Sequence, residues 1–138
     1  MSNTEIKDWK MQKIKVIILI MIFFAINSFA AVADSSAKNI SINDFKKEVK
    51  NNKSIVILDV RMKDELSGPL GKIDGSINIP LQELEKRISE LNKYKGKELF
   101  VISRSGIPSK LATEMLREHG FKATNVIGGM MAYRQGSE

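Results

Sequence analysis

The chain of 138 residues contains no cysteine, one histidine, three prolines and one tryptophan. Without cysteine there is no disulfide framework, no thiolate metal site and no thiol nucleophile, and one histidine cannot build a multi-histidine zinc centre. Chemistry must come from hydroxyls, carboxylates, cations or the backbone, and no metal or cofactor is implied. Aromatic residues are also scarce. Beyond residue 33 they are Phe45, Tyr94, Phe100, Phe121 and Tyr133, too few to interleave with basic residues as a nucleic-acid surface would require. Nor is there an uninterrupted apolar run of the ~20 residues that span a bilayer. The longest, Val16 to Ile26, has 11.

Lys7, Lys10, Lys13 and Lys15 precede that run, and a lysine-rich start followed by a short apolar stretch is the profile of an export signal. Asn27 and Ser28 interrupt it, and Ala31-Val32-Ala33 offers the small-x-small pattern that a signal peptidase cuts, leaving Asp34 first. The alternative is an uncleaved membrane anchor, because counting on to Ala33 gives 18 residues with only Asn27 and Ser28 as polar interruptions. Either way the lysines stay cytoplasmic and the remainder is exported. It is then periplasmic or secreted after cleavage, or tethered facing outward, and touches membrane only through residues 1–33. The expected organisation is a signal peptide or N-terminal anchor over 1–33 and a single domain over 34–138.

Removing residues 1–33 takes away four lysines and two acids, leaving 18 basic and 14 acidic side chains. The charges are interspersed, as in Asp44-Phe45-Lys46-Lys47-Glu48, which reads as solvated helix faces. The paired acids Asp64-Glu65 and the group Glu83, Glu85 and Glu90 read as surface in the same way.

Short apolar runs alternate with stretches of helical period, the pattern of an α/β fold. Ile55 to Leu58 and Leu99 to Ile102 are continuous and β-branched-rich, as strands buried on both faces of a parallel sheet should be. Ile77 and Ile79 suggest a shorter strand, and Val126-Ile127 another. Three helices fit between them. Ser41 with Asp44 resembles a capping box ahead of a helix with Ile42, Phe45 and Val49 on one face. Leu81, Leu84, Ile88 and Leu91 repeat at helical spacing after Pro80. Leu111, Ala112, Met115 and Leu116 form a third stripe, with Pro108 suited to its first turn and Gly120 to its end.

The segment Ser103-Arg104-Ser105-Gly106-Ile107-Pro108-Ser109 joins the second long strand to that third helix, where open α/β sheets place their sites. A tight loop closing onto a helix N-terminus aims several N–H groups and the positive end of the helix dipole at one point, which favours an anion. Gly106 permits a positive φ, and Arg104, Ser105 and Ser109 can add donors. The plain alternative is a simple connection.

Five segments in order resemble the rhodanese-like family. They are Ile57-Leu58-Asp59-Val60-Arg61 with Glu65 after it, Gly71-Lys72-Ile73-Asp74-Gly75-Ser76-Ile77-Asn78-Ile79-Pro80-Leu81, Val101-Ile102-Ser103-Arg104-Ser105-Gly106, Gly120-Phe121, and Val126-Ile127-Gly128-Gly129-Met130. The resemblance implies a rhodanese-like open parallel sheet of about five strands with helices on both faces. It makes Ser103 to Ser109 the site loop, with Asp59 and Arg61 supporting it.

In active members of that family the first loop residue is a cysteine that accepts sulfane sulfur as a persulfide. Here it is Ser103. A thiol becomes a thiolate readily among N–H donors, whereas a hydroxyl is a far weaker acid and holds no sulfur as a persulfide. Activating Ser103 would need a base, and His119 sits about 16 Å along the helix at ~1.5 Å per residue. His119 is better read as a residue of the helix C-terminus. Lys72 for His, Pro108 for Arg and Tyr133 for Trp depart from the family pattern too. Two readings follow. One is a catalytically silent exported module that binds a small sulfur-containing anion, a sulfur carrier or an envelope protein. The other is a thiosulfate sulfurtransferase whose nucleophilic cysteine is replaced by serine. A phosphatase-like reading fails because that chemistry uses the same cysteine. The first expected outcome is a mature chain that begins at Asp34, checked by the intact mass of protein from the cell envelope; retention of Met1 would favour the anchor.

Overall fold

The computed structural model describes residues 2–29 and 38–135, with side chains assigned in the first segment only as far as residue 21. The chain divides into two compact units, 1–33 and 34–138. Ala31-Val32-Ala33 and Asp34 lie outside the described residues. In the first unit a helix, α1, spans Asn3–Phe29. Its start is capped reciprocally, with Glu5 N–H donating to Ser2 Oγ and Ser2 N–H to Glu5 Oε2. It runs on through Asn27 and Ser28, since neither residue removes a main-chain donor and both cost a helix little. Ile14, Ile17, Leu19 and Met21 are all about half exposed or more. Among the described residues no helix is long and apolar enough to cross a membrane.

The second unit is a five-stranded, wholly parallel sheet. Its strands are β1 (Lys38–Ile40), β2 (Val56–Asp59), β3 (Ile77–Asn78), β4 (Glu98–Ile102) and β5 (Lys122–Val126), in the spatial order β1-β5-β4-β2-β3. The helices are α2 (Ile42–Asn51), α3 (Leu81–Arg87), α4 (Ile107–Glu118) and α5 (Gly129–Arg134), with 3-10 turns at Lys63–Ser67 and Ile88–Tyr94. The fold is thus the open parallel α/β sheet that the alternating pattern predicts.

The two long apolar runs explain the layers. Successive strand residues point to opposite faces, so Val56, Leu58, Leu99 and Val101 pack with Leu84, Leu91, Ala112 and Leu116 under α3 and α4. Ile57, Phe100 and Ile102 turn the other way, onto Phe45 of α2 and Met130 of α5. Phe45 lies 5.8 Å from Phe100 and 5.9 Å from Tyr133, edge to face with the latter, so Tyr133 closes this second core.

Capping follows the sequence closely. Ser41 Oγ accepts from Asp44 N–H at the start of α2 and donates to its carboxylate at 2.7 Å. That bond, with Lys47 beside it, holds the Asp44 carboxyl below its ordinary value. At the end of α4, Phe121 N–H reaches Leu116 O and Gly120 N–H reaches Arg117 O, the paired bonds of a Schellman motif, with Gly120 at φ +79°. His119 is the C-cap, its ring nitrogen Nδ1 2.9 Å from Met115 O.

Four details differ from the periodicity reading. β1 and α5 are too short to leave a periodic signal. β5 ends at Val126, with Ile127 outside it and exposed. The stripe from Leu81 breaks at Arg87 into a 3-10 turn, where Arg87 gathers Glu83 and Glu90. Leu111 is 54% exposed, because the buried face of α4 is Ser109, Ala112, Thr113 and Leu116. The polar Ser109 and Thr113 hide that phase, since Thr113 Oγ1 satisfies itself on the Ser109 carbonyl. Accordingly, Leu116→Ala should cost about 2–5 kcal/mol in chemical denaturation, and Leu111→Ala within ~0.5 kcal/mol of nothing.

Candidate functional site

From β2 the chain moves outward to β3, and from β4 it moves the opposite way to β5. The direction reverses between β2 and β4, and a crevice forms outside their carboxyl ends. That crevice is a cleft of roughly 320 Å³ lined by residues after β2, by the start of α3 and by the loop after β4, including Arg61, Ser103, Arg104, Ser105 and Pro108.

The loop from Ser103 to Ser109 is shaped by glycine. Gly106 is the N-cap of α4 at φ +91°, and a Cβ there would stand 2.7 Å from Gly128 N. Gly129 is tighter still, since a Cβ would fall 2.3 Å from Ser103 O. This closeness lets Met130 N–H reach Ser103 O at 2.8 Å and Met131 N–H reach Arg104 O at 3.0 Å. The start of α5 therefore holds the loop by its carbonyls.

Ser103 is 1% exposed and points inward. Its Oγ accepts from Gly106 N–H at 3.1 Å and Ser109 N–H at 3.2 Å, and lies 2.9 Å from Ser109 Oγ. Ser109 Oγ gives its own proton to Asn125 Oδ1 at 2.7 Å, and Asn125 Nδ2 donates to Asn39 Oδ1 at 2.8 Å. Because the Ser109 proton is committed, Ser103 is the donor in the bond between the two hydroxyls. Its oxygen thus makes three bonds to the protein, the full complement of a hydroxyl.

The expected site residues divide accordingly. Arg104, Ser105 and Pro108 are exposed on the cleft. Ile107 is 76% exposed, and Gly106 and Ser109 are buried, with the Ser109 hydroxyl spent inside the protein. His119 stands at the far end of α4. Glu65, read as plain surface, is half-buried on the cleft wall, because its carboxylate turns back to accept from Met62 N–H at 3.1 Å.

Asp59 and Arg61 form a buried pair, Arg61 Nη2 lying 2.6 Å from Asp59 Oδ2, with side-chain exposures of 2% and 0%. The pair is well satisfied. Arg61 Nη2 also donates to Gly71 O, Arg61 N–H to Asp59 Oδ1, and Asn78 Nδ2 to both the Asp59 and Arg61 carbonyls. Arg134 holds the same irregular stretch through Leu70 O and Lys72 O. Asn39, Asn125 and Arg134 escaped the sequence reading, because an isolated amide or a lone arginine carries no periodic signal. Among the described residues no group of His, Asp or Glu could hold a metal ion.

The hydroxyl chain yields a stability expectation. Ser109→Ala strips the buried Asn125 Oδ1 of its donor and should cost about 1–3 kcal/mol, read as a lowered denaturation midpoint. Ser105→Ala, at an exposed position, should stay within ~0.5 kcal/mol.

Comparison with known proteins agrees with this geometry. The family model described as "Rhodanese-like domain" matches residues 41–135. A putative sulfur carrier protein, YrkF, of Bacillus subtilis (strain 168) is 40% identical over 97 residues, covering 70% of this chain and 50% of that protein. This chain therefore spans about half the length of that relative. A putative sulfurtransferase, YtwF, of the same organism is 33% identical over 96 residues, covering 70% and 89%. The crystal structure of a rhodanese-like domain protein from Staphylococcus aureus superposes with a TM-score of 0.64 at 27% identity, covering 72% of this chain and 94% of that one. Family match, strand order and site loop together place the chain in the rhodanese-like domain family.

Proposed function

We propose that this chain is an exported rhodanese-like domain that is catalytically silent and acts by binding, its Ser103–Ser109 loop receiving a small sulfur-containing anion, a sulfur carrier or a partner in the cell envelope. The observation that carries the reading is the state of Ser103. Sulfur transfer in this family needs a side-chain atom that takes up sulfane sulfur and gives it back. The Ser103 oxygen cannot hold a persulfide, and its lone pairs and proton are already bound to Gly106, Ser109 and the Ser109 hydroxyl. Among the described residues no carboxylate or imidazole hydrogen-bonds its hydroxyl, and His119 caps the opposite end of α4.

Binding remains open to the loop. Among the described residues the N–H groups of Arg104 and Ser105 have no partner in the protein, and Arg104 and Ser105 are exposed. These donors beside the N-terminus of α4 suit an anion. The relatives named as a putative sulfur carrier and a putative sulfurtransferase support a sulfur-containing ligand. The export reading is supported by the lysines ahead of Val16 to Ile26 and by the exposed apolar residues of α1.

The second reading, a sulfurtransferase with its nucleophile replaced, is favoured by the intact loop frame of Gly106, Gly128 and Gly129. One assay separates the two. The protein should show no thiosulfate:cyanide turnover above background. Ser103→Cys places a thiol in the same field of N–H groups, which lowers its pKa, and should gain measurable but partial activity, because Pro108 supplies no cation. Turnover by the unmodified chain would overturn the silent reading, and an inert Ser103→Cys would show that the loop frame itself no longer supports the chemistry.

A further inference from the structure

The cleft beside the loop is larger and more apolar than an inorganic oxyanion needs. Its roughly 320 Å³ corresponds to about ten water-sized units at ~30 Å³ each, more space than the five heavy atoms of sulfate or thiosulfate fill. Val60, Met62, Leu81 and Pro108 supply apolar wall. Met62 is 47% exposed although it is a large apolar side chain at the rim of a site.

The charges on the wall are equally informative. Arg61 lies there, but its charge is spent on the buried Asp59 at 2.6 Å. That leaves Arg104 and the half-buried Glu65 as the charged side chains on the same cleft. With one free side-chain cation and one carboxylate on its wall, the cleft carries little net positive charge from side chains, and a second negative charge on a ligand is repelled by Glu65.

We infer that the ligand of this cleft is an organic monoanion, with a sulfonate- or carboxylate-like head at the loop and Arg104, and an apolar body of aromatic-ring size lying over Met62, Leu81 and Pro108. The inference rests on the anion-binding reading of the same loop and adds the ligand class. Pro108 acquires a role in it, since its ring contributes apolar surface at the point where the body leaves the loop.

Calorimetric titration of the purified full chain with sulfate, thiosulfate, methanesulfonate, benzenesulfonate, benzoate and benzyl alcohol, at constant ionic strength, tests it. Benzenesulfonate should bind on the order of tenfold more tightly than methanesulfonate and more tightly than either dianion. Met62→Ala should narrow the gap between the two sulfonates. Pro108→Arg should strengthen thiosulfate and weaken benzenesulfonate. Benzoate matching benzenesulfonate would assign the head to monoanions generally and supports the inference. Sulfate or thiosulfate binding as tightly as benzenesulfonate would overturn it while leaving the anion-binding loop intact. Benzyl alcohol binding equally well would overturn it by removing the charge requirement. Silence from every anion would overturn the loop reading itself.

Discussion

The contact between Gly129 and the Ser103 carbonyl sets the geometry of the site. No side chain fits at position 129, since a Cβ would lie 2.3 Å from that oxygen. The start of α5 can therefore sit against the loop and bind the Ser103 and Arg104 carbonyls through Met130 and Met131. With those carbonyls fixed on one side, Ser103 enters the interior and Arg104 and Ser105 face the cleft. Gly106 repeats the constraint one turn away, packed against Gly128 and the Val126 carbonyl. The Gly-Gly turn near the end of the chain thus belongs to the loop functionally, although some twenty residues separate them in sequence.

Inside that frame the Ser103 hydroxyl begins a directional chain through Ser109 and Asn125 to Asn39. Each buried polar atom there has its partner, and no buried side-chain nitrogen or oxygen among the described residues lacks one. Satisfaction of this kind stabilises the interior and restricts it, because every donor is assigned. A serine in this position is therefore more than a missing sulfur. It is a structural hydroxyl whose proton and lone pairs hold the loop closed on itself.

The opposite wall depends on a buried ion pair. Desolvating Asp59 and Arg61 is costly, and the cost is offset by close geometry and further hydrogen bonds to Gly71 O and the Arg61 amide. In return the pair pins the stretch around Gly71, which Arg134 holds from the other side. The same neutralisation removes Arg61 as an anion-binding charge, so among the described residues Arg104 is the exposed cation on the cleft wall. Packing and electrostatics thus act together on what the cleft can take.

The sequence by itself determined the two long central strands, the two-sided core and the caps of α2 and α4, because these follow from local rules: β-branched runs, residues three and four apart, a serine before a helix, a glycine after one. It also determined that no thiol chemistry is present, as an absence of cysteine is complete at any fold. Tertiary structure alone decided which way Ser103 points, that Ser109 is spent on Asn125, that Glu65 lines the cleft, and that Leu111 faces solvent while Ser109 and Thr113 are buried. These outcomes depend on partners dozens of residues away. A hydroxyl or carboxylate has several possible partners of similar strength, and which it bonds is settled by the positions of those partners in space, information that spacing along the chain does not contain.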